Sequence, residues 1–282
     1  MTAAPETWRD WLSRAGRPLV MGIVNVTPDS FSDGGLFERP DAAVRRAACL
    51  AADGADLLDV GGESTRPGAG PVAPDEQCRR VVPVIEGVRR LGIGMPIFVD
   101  TRSAAVAAAA LDAGATGVND VSALRDDPAM AKLVADRRAP IVLMHMQGTP
   151  ESMQQRPHYR DVVAEVAAFL RERIEYAVAK GIGRDRIAVD PGIGFGKTTS
   201  HNLELLRRID AFTGLGVPVL VGPSRKRFIG EVLGIERPAD RDAGTLGAVA
   251  AAVLGGAEVV RVHEVAAAAQ VVRVCAAIRR AT

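Results

Sequence analysis

The sequence predicts a single α/β domain, a (β/α)8 TIM barrel in which eight parallel strands alternate with eight helices. Short, nearly continuous apolar runs recur along the 282 residues, as is typical of strands buried on both faces of a parallel sheet. Helical patterns separate these runs, and right-handed crossovers between eight near-equal repeats favour a closed barrel over a doubly wound open sheet. We assign residues 18–282 to the barrel and residues 1–17 to a short N-terminal extension at its bottom.

The elements follow from the hydrophobic pattern, taken in chain order. The apolar runs predict strands at residues 19–26, 55–61, 96–101, 117–122, 140–145, 186–191, 217–223 and 258–263. The stretches between them predict helices at residues 41–53, 75–91, 103–113, 128–138, 158–180, 201–210, 242–254 and 265–280. In the fifth helix, Val162, Val166 and Leu170 fall on one apolar stripe. Glycines in DGAD, DAGAT and GGAE are suited to ending a helix before the next strand.

Composition and charge narrow the class of partner. Lys and Arg number 35 and Asp and Glu 34, so a net charge of +1 gives no reason to expect nucleic acid or an anionic membrane. We see no secretory signal and no apolar run long enough to span a bilayer. Cys49, Cys78 and Cys275 are too far apart for a disulfide framework or a zinc site and suit a reducing cytoplasm. We therefore expect a cytoplasmic protein that acts on small molecules.

Polar side chains cluster at the C-terminal end of nearly every predicted strand. The series is Asn25, Asp59, Asp100 with Arg102, Asn119 with Asp120, His145, Asp190, Ser224 with Lys226, and Arg261 with His263. Strand ends are often wet, but several of these residues lie within apolar runs, where breaking a buried ion pair costs about 3–5 kcal/mol. Because the C-terminal strand ends of a (β/α)8 barrel meet at one mouth, we expect a substrate site there.

Three loops refine the expected chemistry. The loop DVGGESTRPGAG (59–70) places an arginine among glycines that permit close approach of the backbone to a ligand, and the arginine indicates an anion. The segment VGPSRKRFIG (221–230) places cations at the predicted start of a helix, which also favours an anion. DPGIGFGKTTSHN (190–202) lacks the spacing of a nucleotide phosphate loop and is expected to shape a pocket wall, with Phe195 as a flat face. Carboxylates and an amide beside anion loops suit a nitrogen heterocycle with a phosphate or hydroxyl leaving group.

Seven segments of the chain resemble the dihydropteroate synthase family of pterin-binding barrels, the target of sulfonamides. They are NVTPDSFSDGG (25–35), DVGGESTRPG (59–68), VDT (99–101), NDVS (119–122), DPGIGFGKTTSHN (190–202), GPSRK (222–226) and RVH (261–263). The resemblance implies a transferase of folate biosynthesis. Its reaction joins 6-hydroxymethyl-7,8-dihydropterin diphosphate to p-aminobenzoate, giving 7,8-dihydropteroate and diphosphate through an SN1-like pterin cation.

The resemblance also implies roles for individual residues. Pterin binding carries over to Asp100, Asn119, Asp190, Lys226 and Arg261. Diphosphate binding carries over to Asn25, Thr65, Arg66, Arg261 and His263, with Mg²⁺ on Asn25. The p-aminobenzoate site carries over to Pro28, Phe31, Phe195, Ser224 and Arg227. Catalytic roles fall to Asp100, Lys226 and Arg261, and the family implies a homodimer built through late helices.

One position departs from the family pattern, and two other functions remain open at this stage. Arg227 stands where many members have a serine after the SRK lysine. A methyltetrahydrofolate–corrinoid methyltransferase would share the barrel and the pterin carboxylates without needing the TPDSFSDGG and ESTRPG loops. A non-catalytic pterin-binding paralogue would be expected to lose Asn25, Arg66 or Lys226, and all three are present. The resemblance further implies that loops 27–35 and 63–70 close over diphosphate and exclude water.

Overall fold

One closed parallel sheet forms the centre of the molecule. The computed structural model describes residues 6–26, 38–64, 70–149 and 151–281. The strands are β1 (Leu19–Asn25), β2 (Leu57–Gly61), β3 (Ile97–Asp100), β4 (Gly117–Asp120), β5 (Ile141–Met144), β6 (Ile187–Asp190), β7 (Leu220–Val221) and β8 (Val259–Val262). Their order is β6-β5-β4-β3-β2-β1-β8-β7, and a parallel bridge between Val189 and Val219 joins the two ends. The predicted barrel is confirmed, and every observed strand lies within a predicted one.

Helices cover the outer face of this sheet, and the first of them closes the bottom of the barrel. They are α1 (Trp8–Ala15), α2 (Glu38–Ala52), α3 (Pro74–Arg90), α4 (Ala104–Asp112), α5 (Met130–Arg137), α6 (Val162–Ala179), α7 (Thr199–Arg207), α8 (Asp210–Thr213), α9 (Arg227–Leu233), α10 (Asp242–Leu254) and α11 (Val265–Arg280). Short 3₁₀ turns occupy Arg184–Arg186 and Pro238–Arg241. Each predicted helix overlaps an observed one. The pattern does not predict α8 as a separate helix or the extent of α9, because such short helices show too little of a helical period.

The fifth predicted helix begins later than the sequence pattern suggests. The prediction starts at residue 158, whereas α6 starts at Val162. Asp161 ends the preceding extended segment, and its Oδ1 accepts a hydrogen bond from the backbone N–H of Ala164 at 2.9 Å. This side chain satisfies a backbone donor that the first helical turn would otherwise leave unpaired, so the helix starts after it. None of the helices in the described part of the chain combines the length and the apolar character that a membrane span requires.

The lower half of the barrel lumen is apolar. Its residues are Leu19, Met21, Leu57, Phe98, Val142, Ala188, Leu220 and Val259, packed with Trp8 and Trp11 of α1. The Trp8 ring centroid lies 5.0 Å from that of Phe98, and its Nε1–H donates to the Arg186 carbonyl at 3.1 Å. Both tryptophans therefore pack against the barrel bottom, where the sequence analysis places residues 1–17.

The upper half of the lumen is polar because side chains alternate along each strand. Asp59, Asp100 and Asp190 each stand two positions after a lower-layer residue of the same strand. Asn119 and Arg261 stand in the same relation to Gly117 and Val259. Successive side chains of a strand point to opposite faces, so residues two apart share a face. All five polar side chains therefore enter one lumen at the C-terminal ends of the strands.

Gly117 yields a test of how tightly the lumen is packed. A Cβ atom at this position would lie 2.6 Å from both Phe98 Cε1 and the Pro140 carbonyl oxygen. We expect Gly117→Ala to lower the free energy of unfolding by about 1–3 kcal/mol, the usual cost of overpacking. Gly94→Ala is the control, because its added Cβ meets nothing within 4 Å and should leave stability unchanged or slightly raised. Urea denaturation measures both, and equal effects would contradict the expected packing.

Candidate active site

Arg261 of β8 organises the polar mouth. Its Nε donates to Asp59 Oδ2 at 2.5 Å, and its NH2 nitrogen donates to Asp100 Oδ2 at 3.0 Å. Asn119 Nδ2 donates to the same Asp59 oxygen at 3.2 Å. Residues from β2, β3, β4 and β8 thus form one bonded group. Asp59 is fully buried, and the guanidinium supplies the opposite charge that a buried carboxylate needs.

Two carboxylates share this single guanidinium, so the group has a surplus of negative charge. Burial and the neighbouring Asp59 raise the pKa of Asp100 to about 7, although Arg261 opposes the shift. The pKa of Arg261 is raised: burial lowers it, but the attraction of Asp59 and Asp100 outweighs that effect. Asp59 Oδ1 is buried with no hydrogen-bond partner among the described residues. Asp100 can therefore gain or lose a proton near neutral pH, while Arg261 stays charged.

Asp190, at the end of β6, lies on the same rim. Its Oδ1 accepts a hydrogen bond from the Gly192 N–H at 2.7 Å. Burial raises the pKa of Asp190 to about 6, although this hydrogen bond and Lys226 oppose the shift. A Cβ atom at Gly222, just after β7, would lie 3.7 Å from Arg261 Cβ and 4.0 Å from Asp190 Oδ2. Only a glycine separates the two side chains, so the predicted convergence of Asp190 and Arg261 is observed.

Lys226 and Phe195 form a wall beside Asp190. The Lys226 Nζ lies 3.9 Å from the Phe195 ring centroid, and a Cβ at Gly194 would lie 2.9 Å from Lys226 Cδ. Burial and Arg261 lower the pKa of Lys226 to about 8. Phe195 packs in an apolar cluster with Val121, Met144, Met146 and Met153. Together these residues offer a planar ligand an apolar face on one side and hydrogen-bonding groups at its edge.

The remaining predicted rim residues lie at the ends of β1, β7 and β8. Ser224 Oγ is 2.9 Å from His263 Nδ1 and also accepts the His263 backbone N–H at 3.2 Å. The sequence analysis assigns these two residues to different substrates, and the structure joins them. Asn25 ends β1 opposite Gly61 of β2 and is half-buried.

Several predicted residues do not join this group. Arg227 lies on the outside, its side chain 78% exposed and its Nε donating to Glu231 Oε1 at 2.6 Å. Asp120 is bound locally, with its carboxylate accepting from the backbone N–H groups of Ser122 and Leu124. Outside the described residues lie Pro28, Phe31, Thr65, Arg66 and most of the predicted lid formed by loops 27–35 and 63–70.

The sequence analysis assigns no site role to Asp59 or Lys197. Asp59 stands among the strand-end polar residues, but no spacing reveals which carboxylate meets Arg261. Lys197 is only 3% exposed, and its Nζ lies 2.9 Å from both His145 Nδ1 and the Phe195 carbonyl oxygen. The sequence feature that could have pointed to Lys197 is its position directly after the GIGFG run. His145, one of the strand-end polar residues, is bound within the protein by this contact with Lys197.

The described residues contain no group of three or more His, Cys, Asp or Glu side chains that could hold a metal ion. Asn25 offers one amide oxygen, a hard ligand of the kind that Mg²⁺ prefers. Mg²⁺ often takes only one or two protein oxygens and completes its coordination with substrate phosphates and water. The residues therefore fit a magnesium ion bound together with a diphosphate, and do not fit a closed protein cage.

Comparison with known proteins identifies the family. The pterin binding enzyme family matches residues 21–263. The chain belongs to the pterin binding enzyme family. It is 43% identical to dihydropteroate synthase of Synechocystis sp. over 275 residues, covering 98% of this chain and 94% of that protein. It is 46% identical to dihydropteroate synthase of Bacillus subtilis over 254 residues, covering 90% and 86% of the two chains.

Solved structures of pterin-binding enzymes share the fold. Xanthomonas albilineans dihydropteroate synthase with 4-aminobenzoic acid matches with a TM-score of 0.89 and 51% identity over 94% of each chain. The same organism's enzyme in complex with 7,8-dihydropteroate matches with a TM-score of 0.85 and 48% identity, covering 94% and 95%. A Yersinia pestis sulfonamide complex matches with a TM-score of 0.89 and 40% identity, covering 94% and 96%. The predicted resemblance to dihydropteroate synthases is confirmed.

The shared guanidinium predicts how Asp100 responds to its neighbour. Asp59→Asn removes a negative charge and leaves Arg261 to Asp100 alone, and both changes favour the ionised form of Asp100. We expect the pKa of Asp100 to fall below its value of about 7. Carbon-13 NMR titration of aspartate carboxyl groups, assigned with Asp100→Asn, measures this shift. The control is Asp56→Asn, which breaks a pair with Arg17 at 2.7 Å near the start of β1 and should leave Asp100 unchanged. An unshifted Asp100 in Asp59→Asn would refute the coupling.

Proposed function

We propose that this chain is a dihydropteroate synthase that condenses 6-hydroxymethyl-7,8-dihydropterin diphosphate with p-aminobenzoate. The observation that carries the proposal is the convergence of carboxylate, amide and cationic side chains on one rim of the barrel. These side chains belong to Asp100, Asn119, Asp190, Lys226 and Arg261. Relatives named dihydropteroate synthase, at 43% and 46% identity over most of the chain, support the same reaction.

Recognition of the pterin is assigned to the buried groups. Asp190 accepts hydrogen bonds from the pterin amino group and ring N–H, since its carboxylate is buried beside the slot. Asn119 and Asp100 meet the remaining donors and acceptors of the ring edge, and Lys226 meets a ring carbonyl or nitrogen. Arg261 stacks over the ring, held in place by its two carboxylate partners. A ligand that lacks the pterin donors would leave buried charge unpaired, which is the source of specificity.

The diphosphate is assigned to the opposite part of the mouth. We propose that Asn25, Thr65, Arg66, Arg261 and His263 bind it, with Mg²⁺ on Asn25. Magnesium, when bound, neutralises charge on the leaving diphosphate. Arg261 belongs to both halves of the site, because its guanidinium stays charged between Asp59 and Asp100. Its guanidinium can therefore stack on the pterin ring and, at the same time, stabilise the negative charge of the departing diphosphate.

The bond changes need no protein nucleophile. The carbon–oxygen bond to diphosphate breaks with its electron pair leaving on oxygen, and the positive charge that remains is spread over the pterin. The ionised form of Asp100, which accepts a hydrogen bond from Arg261, stabilises that positive charge. The amine of p-aminobenzoate then forms the new carbon–nitrogen bond and loses a proton. The proposed catalysis consists of stabilising the pterin cation and the departing diphosphate separately while water is excluded.

We propose a p-aminobenzoate site built from Pro28, Phe31, Phe195, Ser224 and Arg227. Phe195 supports this assignment because its ring forms an apolar wall beside Lys226. Ser224 is held by His263 at the same rim. Arg227 would have to leave Glu231 to reach a carboxylate in the mouth.

An assay of diphosphate release, with and without p-aminobenzoate, tests the proposed reaction. A dihydropteroate synthase releases diphosphate together with dihydropteroate when both substrates are present. A corrinoid methyltransferase would instead consume methyltetrahydrofolate and release no diphosphate, and a non-catalytic paralogue would bind pterin without turnover. Absence of p-aminobenzoate-dependent release from folded protein, supplied with Mg²⁺, would overturn the proposal.

Asp190→Asn provides the sharpest test of the pterin assignment. The substitution keeps the shape of the side chain but replaces a charged acceptor, and hydrogen bonds to charged groups contribute about 1.5–3 kcal/mol each. We expect kcat/KM for the pterin substrate to fall by roughly 10²–10⁴-fold if two such bonds weaken. Asp210→Asn, at an exposed position of helix α8, is the control and should behave as the parent protein. A small loss, equal in the two variants, would remove Asp190 from the site.

We further propose a cytoplasmic homodimer, as the family resemblance implies. The three cysteines are free, which fits a reducing compartment. Helices α10 and α11 present exposed apolar side chains at Leu254, Val274 and Ile278. Arg279 donates to the Val253 carbonyl at 3.2 Å, so the ends of the two helices lie side by side. We propose that a second copy of this chain covers that surface.

The proposed dimer surface predicts a change of mass in solution. Ile278→Glu places a charge in the centre of the proposed contact, where burial without a partner is costly. We expect the variant to sediment as a monomer at concentrations where the parent protein is a dimer. Leu91→Glu is the matched control, because Leu91 is 57% exposed and Ile278 is 56% exposed. Sedimentation velocity distinguishes them, and a dimeric Ile278→Glu protein would place the contact elsewhere.

A further inference from the structure

The turn at residues 192–197, between β6 and α7, supports two parts of the proposed pterin slot. Its Gly192 N–H donates to Asp190 Oδ1 at 2.7 Å, and its Phe195 ring lies 3.9 Å from Lys226 Nζ. A displacement of the turn would therefore alter the carboxylate and the wall of the slot together.

Four side chains hold the backbone of the turn, three of them from outside it and the fourth that of its own Lys197. Gln154 Nε2 donates to the Gly194 carbonyl at 2.7 Å, and the Tyr159 hydroxyl donates to the Gly196 carbonyl at 2.8 Å. The Gly194 N–H donates to Asn202 Oδ1 at 2.6 Å. The Phe195 carbonyl accepts from Lys197 Nζ at 2.9 Å. Lys197 alone among these four side chains can carry a positive charge.

Lys197 also connects the turn to the end of β5. Its Nζ lies 2.9 Å from His145 Nδ1, and the His145 backbone N–H donates to the Asp190 carbonyl at 2.9 Å. An ammonium can only donate, so Nδ1 accepts and the neutral ring carries its proton on Nε2. Burial and the charge of Lys197 lower the pKa of His145 to about 2, which agrees with a neutral ring. The contact is thus a directed bond from a cation to a neutral imidazole.

The charge of Lys197 lies close to Asp190. A Cβ at Gly192 would be 3.4 Å from Lys197 Nζ, and the N–H of that same glycine binds Asp190. Lys226, Lys197 and Arg261 are the cations that face Asp190, and all three lower its pKa against the effect of burial. Lys197 is itself faced by Asp190, Lys226, His145 and, from α7, His201. Burial lowers the pKa of Lys197 to about 7, so its charge is largely present where Asp190 titrates, at about 6.

We propose that Lys197 is a positioning residue for the pterin slot: its buried ammonium ties the turn 192–197 to His145 and sets a positive charge beside Asp190. The inference rests on the proposed function, since it assigns to Lys197 the support of the carboxylate that recognises the pterin. Lys197 itself need not touch the substrate.

The test separates the charge of Lys197 from its packing. Lys197→Met keeps most of the side-chain volume and removes the cation, so less positive charge opposes the burial of Asp190 and its pKa rises. As the pH falls, Asp190 of the variant therefore becomes protonated, and recognition by its carboxylate is lost, at a higher pH than in the parent enzyme. We expect the acid limb of kcat/KM for dihydropterin diphosphate to move to higher pH. The loss should be roughly fivefold larger near pH 6 than near pH 8 for a shift of about one unit.

Tyr159→Phe is the matched control. It removes an uncharged hydrogen-bond donor to the same turn, so it should lower activity by a similar factor at every pH and leave the acid limb in place. Lys197→Gln keeps a donor for the Phe195 carbonyl without the charge and should shift the limb as Lys197→Met does. Circular dichroism confirms folding, and the Gln variant replaces the Met variant if the latter does not fold.

The outcomes distinguish this inference from the proposed function. A parent protein without p-aminobenzoate-dependent diphosphate release overturns the proposed function itself. An active parent whose Lys197→Met and Lys197→Gln variants keep the original acid limb overturns only the role of Lys197. In that case its contribution would be structural, like that of Tyr159.

Discussion

A single guanidinium, largely buried at the mouth of the barrel, holds the centre of this molecule together. Arg261 lies between Asp59 and Asp100, which are separated from it by 202 and 161 positions in the sequence. A buried arginine without partners would be strongly unfavourable, and so would either carboxylate. The three charges can meet only when β8 pairs with β1, which places Arg261 within reach of β2 and β3. Formation of this charged group therefore depends on the pairing of the last strand of the chain with the first.

The same burial sets the electrostatic state of the mouth. Asp100, Asp190 and Lys226 all have pKa values shifted toward neutrality, to about 7, 6 and 8. Burial is the first cause in each case, because a charged group loses its hydration. Such groups exchange protons easily and gain much from a ligand that supplies hydrogen bonds and counter-charge. Shifted groups of this kind gather at functional sites, and here they line the slot that we assign to the pterin.

Rigid elements carry the residues that we assign to the heterocycle. Asp100, Asn119 and Asp190 end strands, and their Cα positions are fixed by the ladder of backbone hydrogen bonds. Glycines then allow the close approaches that a flat slot requires. Gly222 leaves room between Asp190 and Arg261, and Gly194 lets Lys226 lie over the Phe195 ring. The proposed chemistry depends on this geometry, since the protein supplies position and charge and supplies no nucleophile.

The sequence by itself determined the eight strands, because burial on both faces produces apolar runs, and it determined that polar residues gather where those runs end. Its motifs also identified the family. Only the tertiary structure decided which groups pair. Asp59 meets Arg261, Ser224 meets His263, His145 accepts from Lys197, and Arg227 turns outward to Glu231. Local patterns record burial and period, whereas the first three pairings depend on strand order, on register and on side-chain conformations fixed only when distant segments pack. Arg227 and Glu231 are four residues apart in α9, so their pair depends on where that helix begins, which the sequence pattern does not show.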